Sequence, residues 1–160
     1  MGRKYTVPYS GTITNAGGDS DLLELLPADD KPVKLIGFII SQISEVGDAA
    51  EEGVRISVIL LPATVTSGSG GSSVTPAPPN SSDTAAGFAA ECNNTTVATT
   101  SGSAVTRLEM GWNERNTPFD FIWPQDFEPV ARQGEAIVIR MQTTLADDLT
   151  GQITAFVEEF

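Results

Sequence analysis

The chain has 160 residues, with nine Lys and Arg against 21 Asp and Glu and a formal charge of −12. This length suits one domain with a sizeable core, and the negative charge argues against direct binding of nucleic acid or anionic lipid. The single cysteine, Cys92, excludes an internal disulfide.

The apolar segments are too short for membrane insertion, because none reaches the roughly 18 residues of a transmembrane helix. Residues 1–6 also do not lead into an apolar signal segment. We therefore expect a soluble protein that is made in a cytoplasm and has no membrane partner.

The first half of the chain alternates apolar and polar residues. Residues 5–14 have period two and predict a half-buried strand. Residues 21–26 fit either a short strand or a turn of helix. Residues 33–43 are apolar on both parities, which predicts a strand covered on both faces. After the acidic connection 45–52, residues 54–60 alternate again and predict a further strand.

Residues 63–86 consist mainly of Ser, Gly, Thr and Pro. They contain too little apolar mass to pack, so we expect a long, flexible surface loop.

The second half begins with a possible short helix at 85–90 and continues with strand patterns at 104–112, 119–123, 135–142 and 150–160. About eight strands with no long helical period predict one all-β domain over residues 1–160, an antiparallel β-sandwich and specifically a jelly roll. Residues 1–4 form a basic N-terminal arm in this prediction.

Catalytic machinery is sparse in this sequence. There is no His, which removes the commonest general base and metal ligand, and one Cys cannot build a thiolate zinc site. No Gly-rich segment carries the Lys of a phosphate-binding loop. We expect a protein that is not an enzyme, with no catalytic, cofactor-binding or metal-binding residues and no cofactor.

The acidic residues form clusters that most simply represent solvated surface. The alternatives are a structural cation such as Ca²⁺, or a catalytic carboxylate pair. The clusters are Asp19/Asp21, Asp29/Asp30, Glu45/Asp48/Glu51/Glu52, Asp147/Asp148 and Glu158/Glu159.

Four aromatic residues, Trp112, Phe119, Phe121 and Trp123, lie in or beside predicted strands. Alternating aromatic residues are most often core, but they also suit a contact between subunits or a platform for carbohydrate. We regard the four as candidate interface residues.

Several segments together resemble a family of small virion proteins of tailed bacteriophages. The segments are residues 45–52 (EVGDAAEE) after an apolar strand, the stretch from Asn94 to Gly102, residues 111–118 (GWNERNTP), and residues 134–140 (GEAIVIR) with the ending at 157–159 (VEE).

The resemblance implies a β-rich subunit on the head exterior, similar to cement (decoration) proteins that sit as trimers on the capsid and tie capsomers together. It would be made in the host cytoplasm, with the major capsid protein and further copies of itself as partners. Arg3 and Lys4 are the candidate basic patch for docking on the capsid. The alternative is a carbohydrate- or host-binding β-sandwich module of a fibre or tail.

Overall fold

The computed structural model describes residues 2–45, 47, 52–115 and 118–160. These residues form an all-β protein with multiple antiparallel sheets, as the sequence predicts. None of them belongs to a helix that is long and apolar enough to span a membrane.

Thirteen strands are present in the described chain. They are β1 (Arg3–Ile13), β2 (Ser20–Leu26), β3 (Val33–Gln42), β4 (Gly53–Leu61), β5 (Val65–Thr66), β6 (Ser72–Val74), β7 (Ala89–Asn94), β8 (Thr99–Thr100), β9 (Val105–Asn113), β10 (Phe119–Ile122), β11 (Val130–Ala131), β12 (Ala136–Met141) and β13 (Leu149–Glu159).

The first sheet, sheet A, has the strand order β1-β13-β3-β10, and β11 also pairs with β3. Its longest pairing joins the two ends of the chain, because β1 lies antiparallel to β13 from Arg3↔Glu159 to Ile13↔Leu149. The alternation predicted for residues 5–14 is confirmed, since Tyr5, Val7 and Ile13 are all buried.

The second sheet, sheet B, has the order β6-β7-β2-β12-β4-β9. The inner faces of the two sheets enclose the main core, in which Phe38 of sheet A and Leu23 and Ile139 of sheet B are fully buried. Such a core removes apolar surface from water, which contributes about 25 cal/mol per Å².

A small third layer covers the outer face of sheet B. We call residues 63–71 and 95–102 the cover; within it, β5 pairs with β8 and Ser69 pairs with Thr96. Ala98 of the cover packs with Ile59 and Val138 in a second apolar cluster on that outer face. Strand β12 is therefore buried on both faces.

The prediction that residues 33–43 are covered on both faces was wrong. Val33, Leu35 and Phe38 are buried, whereas Ile39 is only partly buried and Ile43 is 64% exposed. The cover lies over sheet B, so the strands that are buried on both faces are β2 and β12.

The Ser/Gly/Pro segment at 63–86 contains structure that its composition did not predict. It includes β5 and β6, and its Ala77 exchanges two backbone hydrogen bonds of 2.8 and 2.9 Å with Thr6 of β1. Because β6 extends sheet B and Ala77 pairs with sheet A, this segment closes one side of the sandwich.

Two local predictions are also decided. Residues 21–26 are part of a strand, and the helix suggested for 85–90 is absent, since β7 starts at Ala89. Leu23 and Leu25 pack in the core, whereas Glu24 lies on the opposite face beneath the cover. A strand can place these residues on both faces because its side chains alternate.

The packing of the cover can be tested at a glycine. A methyl group on Gly71 would overlap the Cys92 carbonyl oxygen, whereas one on Gly18 would meet nothing within 4 Å. We expect Gly71→Ala to lower the free energy of unfolding by about 1–3 kcal/mol and Gly18→Ala to change it by less than about 0.5 kcal/mol. Urea denaturation measures both. Equal urea midpoints for Gly71→Ala and Gly18→Ala would contradict the packing of the cover on β7.

Candidate interaction surfaces

The outer face of sheet A lacks the cover that sheet B has. Ile39, Phe156 and Ile122 lie on this face at neighbouring positions of β3, β13 and β10. Ile39 and Phe156 are partly buried and Ile122 is 54% exposed. An apolar patch of this kind on a soluble domain is typical of a contact surface.

Lysines border this apolar patch at the end of the sheet where the chain termini lie. Glu158 of β13 stands between Lys4 of β1 and Lys34 of β3 on the same face. Lys34 Nζ lies 3.6 Å from Glu158 Oε2 and 4.9 Å from the centre of the Phe160 ring. One carboxylate thus stands between two cations, of which Lys4 is exposed.

The predicted N-terminal arm is incorporated into the sheet. Arg3 and Lys4 pair with Glu159 and Glu158 as part of β1, so they are not a free arm, and Met1 lies outside the described residues. Both side chains are nevertheless exposed. Their position is therefore set by the sheet, and any contact they make includes neighbouring parts of sheet A.

More cations lie at the same end of the molecule. Arg3 and Lys31 line one groove with Glu159, and Lys31 and Arg132 line the next. With Lys4 and Lys34, this end holds five of the nine cationic residues of a chain whose net charge is −12. We call Arg3, Lys4, Lys31 and Lys34 the basic end.

The four candidate aromatic residues cluster with the core on one side of the sandwich. Trp112 is 4% and Trp123 9% exposed, and the Phe121 and Trp123 rings meet edge to face at 5.1 Å. Phe119 and Phe121 are partly buried on the inner face of sheet A beside Phe38. All four residues therefore belong to or pack against the main core and have limited exposure, and their role as an interface stays a prediction.

The exposed apolar groups near these aromatic residues were not among the candidates. They include Val105 at the start of edge strand β9 and Phe127 in the loop after β10, which are 44% and 64% exposed. Arg107 of β9 donates a 3.4 Å hydrogen bond to the Phe127 carbonyl and so connects β9 with the loop after β10. The sequence pattern missed them because an isolated apolar residue at a strand end or in a turn has no periodicity.

A buried ion pair holds the cover on sheet B. Arg140 donates to both carboxylate oxygens of Asp21, at 2.6 and 3.2 Å, and to the Ala98 carbonyl at 2.8 Å. Asp21 also accepts the Ala98 N–H at 2.7 Å. Burial raises the pKa of the Asp21 carboxyl, and the Arg140 guanidinium opposes that rise.

Most other predicted acidic clusters include carboxylates that accept hydrogen bonds within the protein. Asp148 accepts the Asn15 N–H at 2.6 Å, Glu52 the Ala146 N–H at 2.9 Å, and Glu159 the Gly87 N–H at 2.6 Å. Asp48 and Glu51 lie outside the described residues. In the part of the chain that the structure describes, no group of three or more acidic or cysteine residues is arranged to hold a metal ion.

The one thiol is poorly suited to nucleophilic chemistry. Cys92 is fully buried on β7, and burial raises the pKa of its thiol to about 12. Its thiolate, which is the reactive form, is therefore scarce at neutral pH.

Comparison of the chain with protein-family models, with curated proteins and with solved structures finds no match. The function proposed below is therefore inferred from the surfaces described above.

The buried ion pair gives a test with a matched control on the surface. We expect Arg140→Leu to lower the free energy of unfolding by about 3–5 kcal/mol, because it leaves Asp21 charged and buried. Arg55→Leu removes the exposed pair with Glu109 and should cost about 0–1 kcal/mol.

Denaturant titration compares the two variants. Adding Asp21→Asn to Arg140→Leu should restore part of the loss, since the amide oxygen still accepts the Ala98 N–H without a buried charge. Equal losses for Arg140→Leu and Arg55→Leu would contradict the role given to the buried pair.

Proposed function

We propose that the protein is a non-enzymatic decoration protein that binds the outer surface of a bacteriophage head and stabilises contacts between capsomers. The observation that supports this most is the uncovered outer face of sheet A. Its apolar centre around Ile39, Ile122 and Phe156 adjoins Lys4 and Lys34. The partner in this proposal is the major capsid protein.

The chemistry of this face suits persistent docking. An exposed ion pair contributes only about 0–1 kcal/mol, so the buried apolar area has to supply most of the affinity. The basic end contributes orientation and a faster encounter with an acidic capsid surface. Free copies still repel one another, because each carries a net charge of −12.

The strand order agrees with a jelly roll, which we include in the proposal. Eight strands form two sets of four neighbours, in the order β1-β13-β3-β10 in sheet A and β2-β12-β4-β9 in sheet B. In chain order these strands pass from one sheet to the other at every step except from β4 to β9, which supports a jelly roll, an architecture found in viral capsid proteins. Strands β5 to β8 are then an insertion between β4 and β9.

Self-association is the second part of the proposal, with a trimer as the expected state. The side of the sandwich between β9 and β10 is the favoured contact, because Val105 and Phe127 are exposed there. Oligomerisation would multiply weak capsid contacts through avidity.

The alternative function is a carbohydrate- or host-binding module of a fibre or tail. The exposed Phe127 ring favours it, since sugars stack on exposed aromatic rings. A glycan array separates the two functions, because a decoration protein binds undecorated heads and no glycan.

The docking face can be tested by co-sedimentation with heads that lack the protein. We expect Ile122→Glu to weaken binding by at least roughly tenfold, which corresponds to about 1.4 kcal/mol. Thr66→Glu, which places the same charge on an exposed residue of the cover and away from both proposed contacts, is the matched control. The proposed docking face would be wrong if Thr66→Glu weakened binding and Ile122→Glu did not.

The basic end is tested by charge reversal in the same assay. We expect Arg3→Glu/Lys4→Glu to lower occupancy at low salt and to flatten its dependence on salt concentration. Unchanged occupancy throughout a salt titration would eliminate these two residues as docking groups.

The oligomeric state is measured by light scattering. The proposal predicts three times the chain mass of 16.8 kDa in solution or, if assembly needs the capsid, three copies at each binding position on the head. A monomer in both settings would contradict self-association.

A further inference from the structure

A second carboxylate beneath the cover, Glu24, lacks the cation that Asp21 has. Its side chain is fully buried on β2. Glu24 Oε2 accepts the Gly68 N–H of the cover at 3.0 Å and the Asn94 Nδ2–H at 2.9 Å. These bonds attach the cover to the centre of sheet B.

Two oxygens of this arrangement have no donor. Glu24 Oε1 and Asn94 Oδ1 are buried, and neither has a hydrogen-bond partner among the described residues. Each belongs to one of the two side chains that the Nδ2–H···Oε2 bond already holds together. A buried acceptor without a donor destabilises the folded state, so both oxygens need a hydrogen-bond partner.

The charged groups around Glu24 do not compensate for a negative charge on its carboxylate. Asp21 and Glu91 are the nearest acids, and Asn94 Nδ2 also donates to Glu91 at 3.1 Å. Arg140 is the nearby cation, and it is engaged by Asp21 and Ala98. The cover that packs on Glu24 contains no charged residue in either of its segments.

The space around Asn94 is too small for a metal ion. A methyl group on Gly68 or Gly71 would overlap atoms of Asn94, and one on Gly70 would overlap Thr95. The backbone of the cover therefore lies directly on this segment. A proton shared between the two orphaned oxygens would satisfy both of them and needs no additional space.

We propose that Glu24 is protonated in the folded protein and pairs with Asn94 as a carboxylic acid with an amide. The proton sits on Oε1 and is donated to Asn94 Oδ1, while Asn94 Nδ2 donates to Oε2. One proton thereby satisfies both orphaned oxygens. The pair is a pH-sensitive latch for the cover, and this inference does not depend on the proposed function.

The direction of the pH effect follows from the charge of the ionised form. Burial raises the pKa of Glu24 above its ordinary value of 4.5, whereas the Gly68 N–H and the Ser67 hydroxyl oppose the rise. Because the folded pKa is raised, the latch is fully stable below the pKa of the unfolded chain. Between the pKa of the unfolded chain and the folded pKa, the closed-to-open equilibrium constant falls by up to about tenfold per pH unit, and the loss is complete once the pH has passed the folded pKa.

An opened latch would expose apolar surface. The cover supplies Ala98 and Val65 to the cluster that contains Val138 of β12. Release of the cover at higher pH would uncover this second apolar surface of sheet B, while the main core between the sheets would remain intact.

The experiment follows the carboxyl carbon of Glu24 by NMR in the intact chain from pH 3 to pH 9. The expected result is a titration clearly above that of a free glutamate. In parallel, amide exchange of Gly68 is measured and normalised to the intrinsic exchange rate at each pH. Its protection should fall as Glu24 ionises.

The decisive variant is Glu24→Gln, which imitates the protonated carboxyl by donating from its amide to Asn94 Oδ1. Protection of Gly68 should then match the wild type at low pH and should lose the part of its pH dependence that Glu24 causes, leaving only the part that Asp21 contributes through Ala98. Glu158→Gln, on the outer face of sheet A, is the control and should behave as wild type. Titration of Glu24 at or below the value of a free glutamate, or parallel pH profiles for wild type and Glu24→Gln, would overturn the proposal.

Discussion

The packing of an uncharged cover on the outer face of sheet B is the constraint on which the other features depend. Ala98 and Val138 form an apolar cluster there, and the cover encloses the carboxylates of Asp21 and Glu24. Within the part of the chain that the structure describes, the cover lies over the centre of sheet B, and the outer face of sheet A has no such layer.

Asp21 and Glu24 are both buried carboxylates, and the cost of burying their charge is avoided in two different ways. A buried charge is costly unless it is paired and hydrogen-bonded. Asp21 meets this requirement through Arg140, which contacts both of its oxygens. Glu24 has no such cation, so we infer that it meets the requirement by keeping its proton. Both acids also receive a backbone N–H from the cover, so the stability of the cover and their charge states are coupled.

The candidate docking face depends on the pairing of the chain ends. The β1–β13 pairing brings Lys4 beside Glu158, and the β13–β3 pairing places Lys34 on its other side. The same sheet carries Ile39 and Ile122 on its outer face. A surface with both apolar area and fixed cations can bind tightly and in one orientation, which is what a decoration protein needs.

Several properties could be predicted from the sequence because they depend on local periodicity and composition. Alternation identified β1 and its buried Tyr5 and Val7, and the lack of helical periodicity indicated an all-β sandwich. The aromatic cluster was also located, although Trp112 and Trp123 are mostly core. Periodicity reports which residues share a side of a strand, and this information needs no knowledge of strand partners.

Tertiary structure alone decided which side of each sheet faces solvent. Residues 33–43 and β12 have similar apolar content, yet only β12 is covered on both faces, because the Ser/Gly segment packs there. Pairs such as Asp21 with Arg140 join residues that are 119 positions apart, so no local pattern contains them. Local patterns predicted the long strands and their alternation, whereas long-range pairing determined the cover with its short strands, the buried acids and the open face of sheet A.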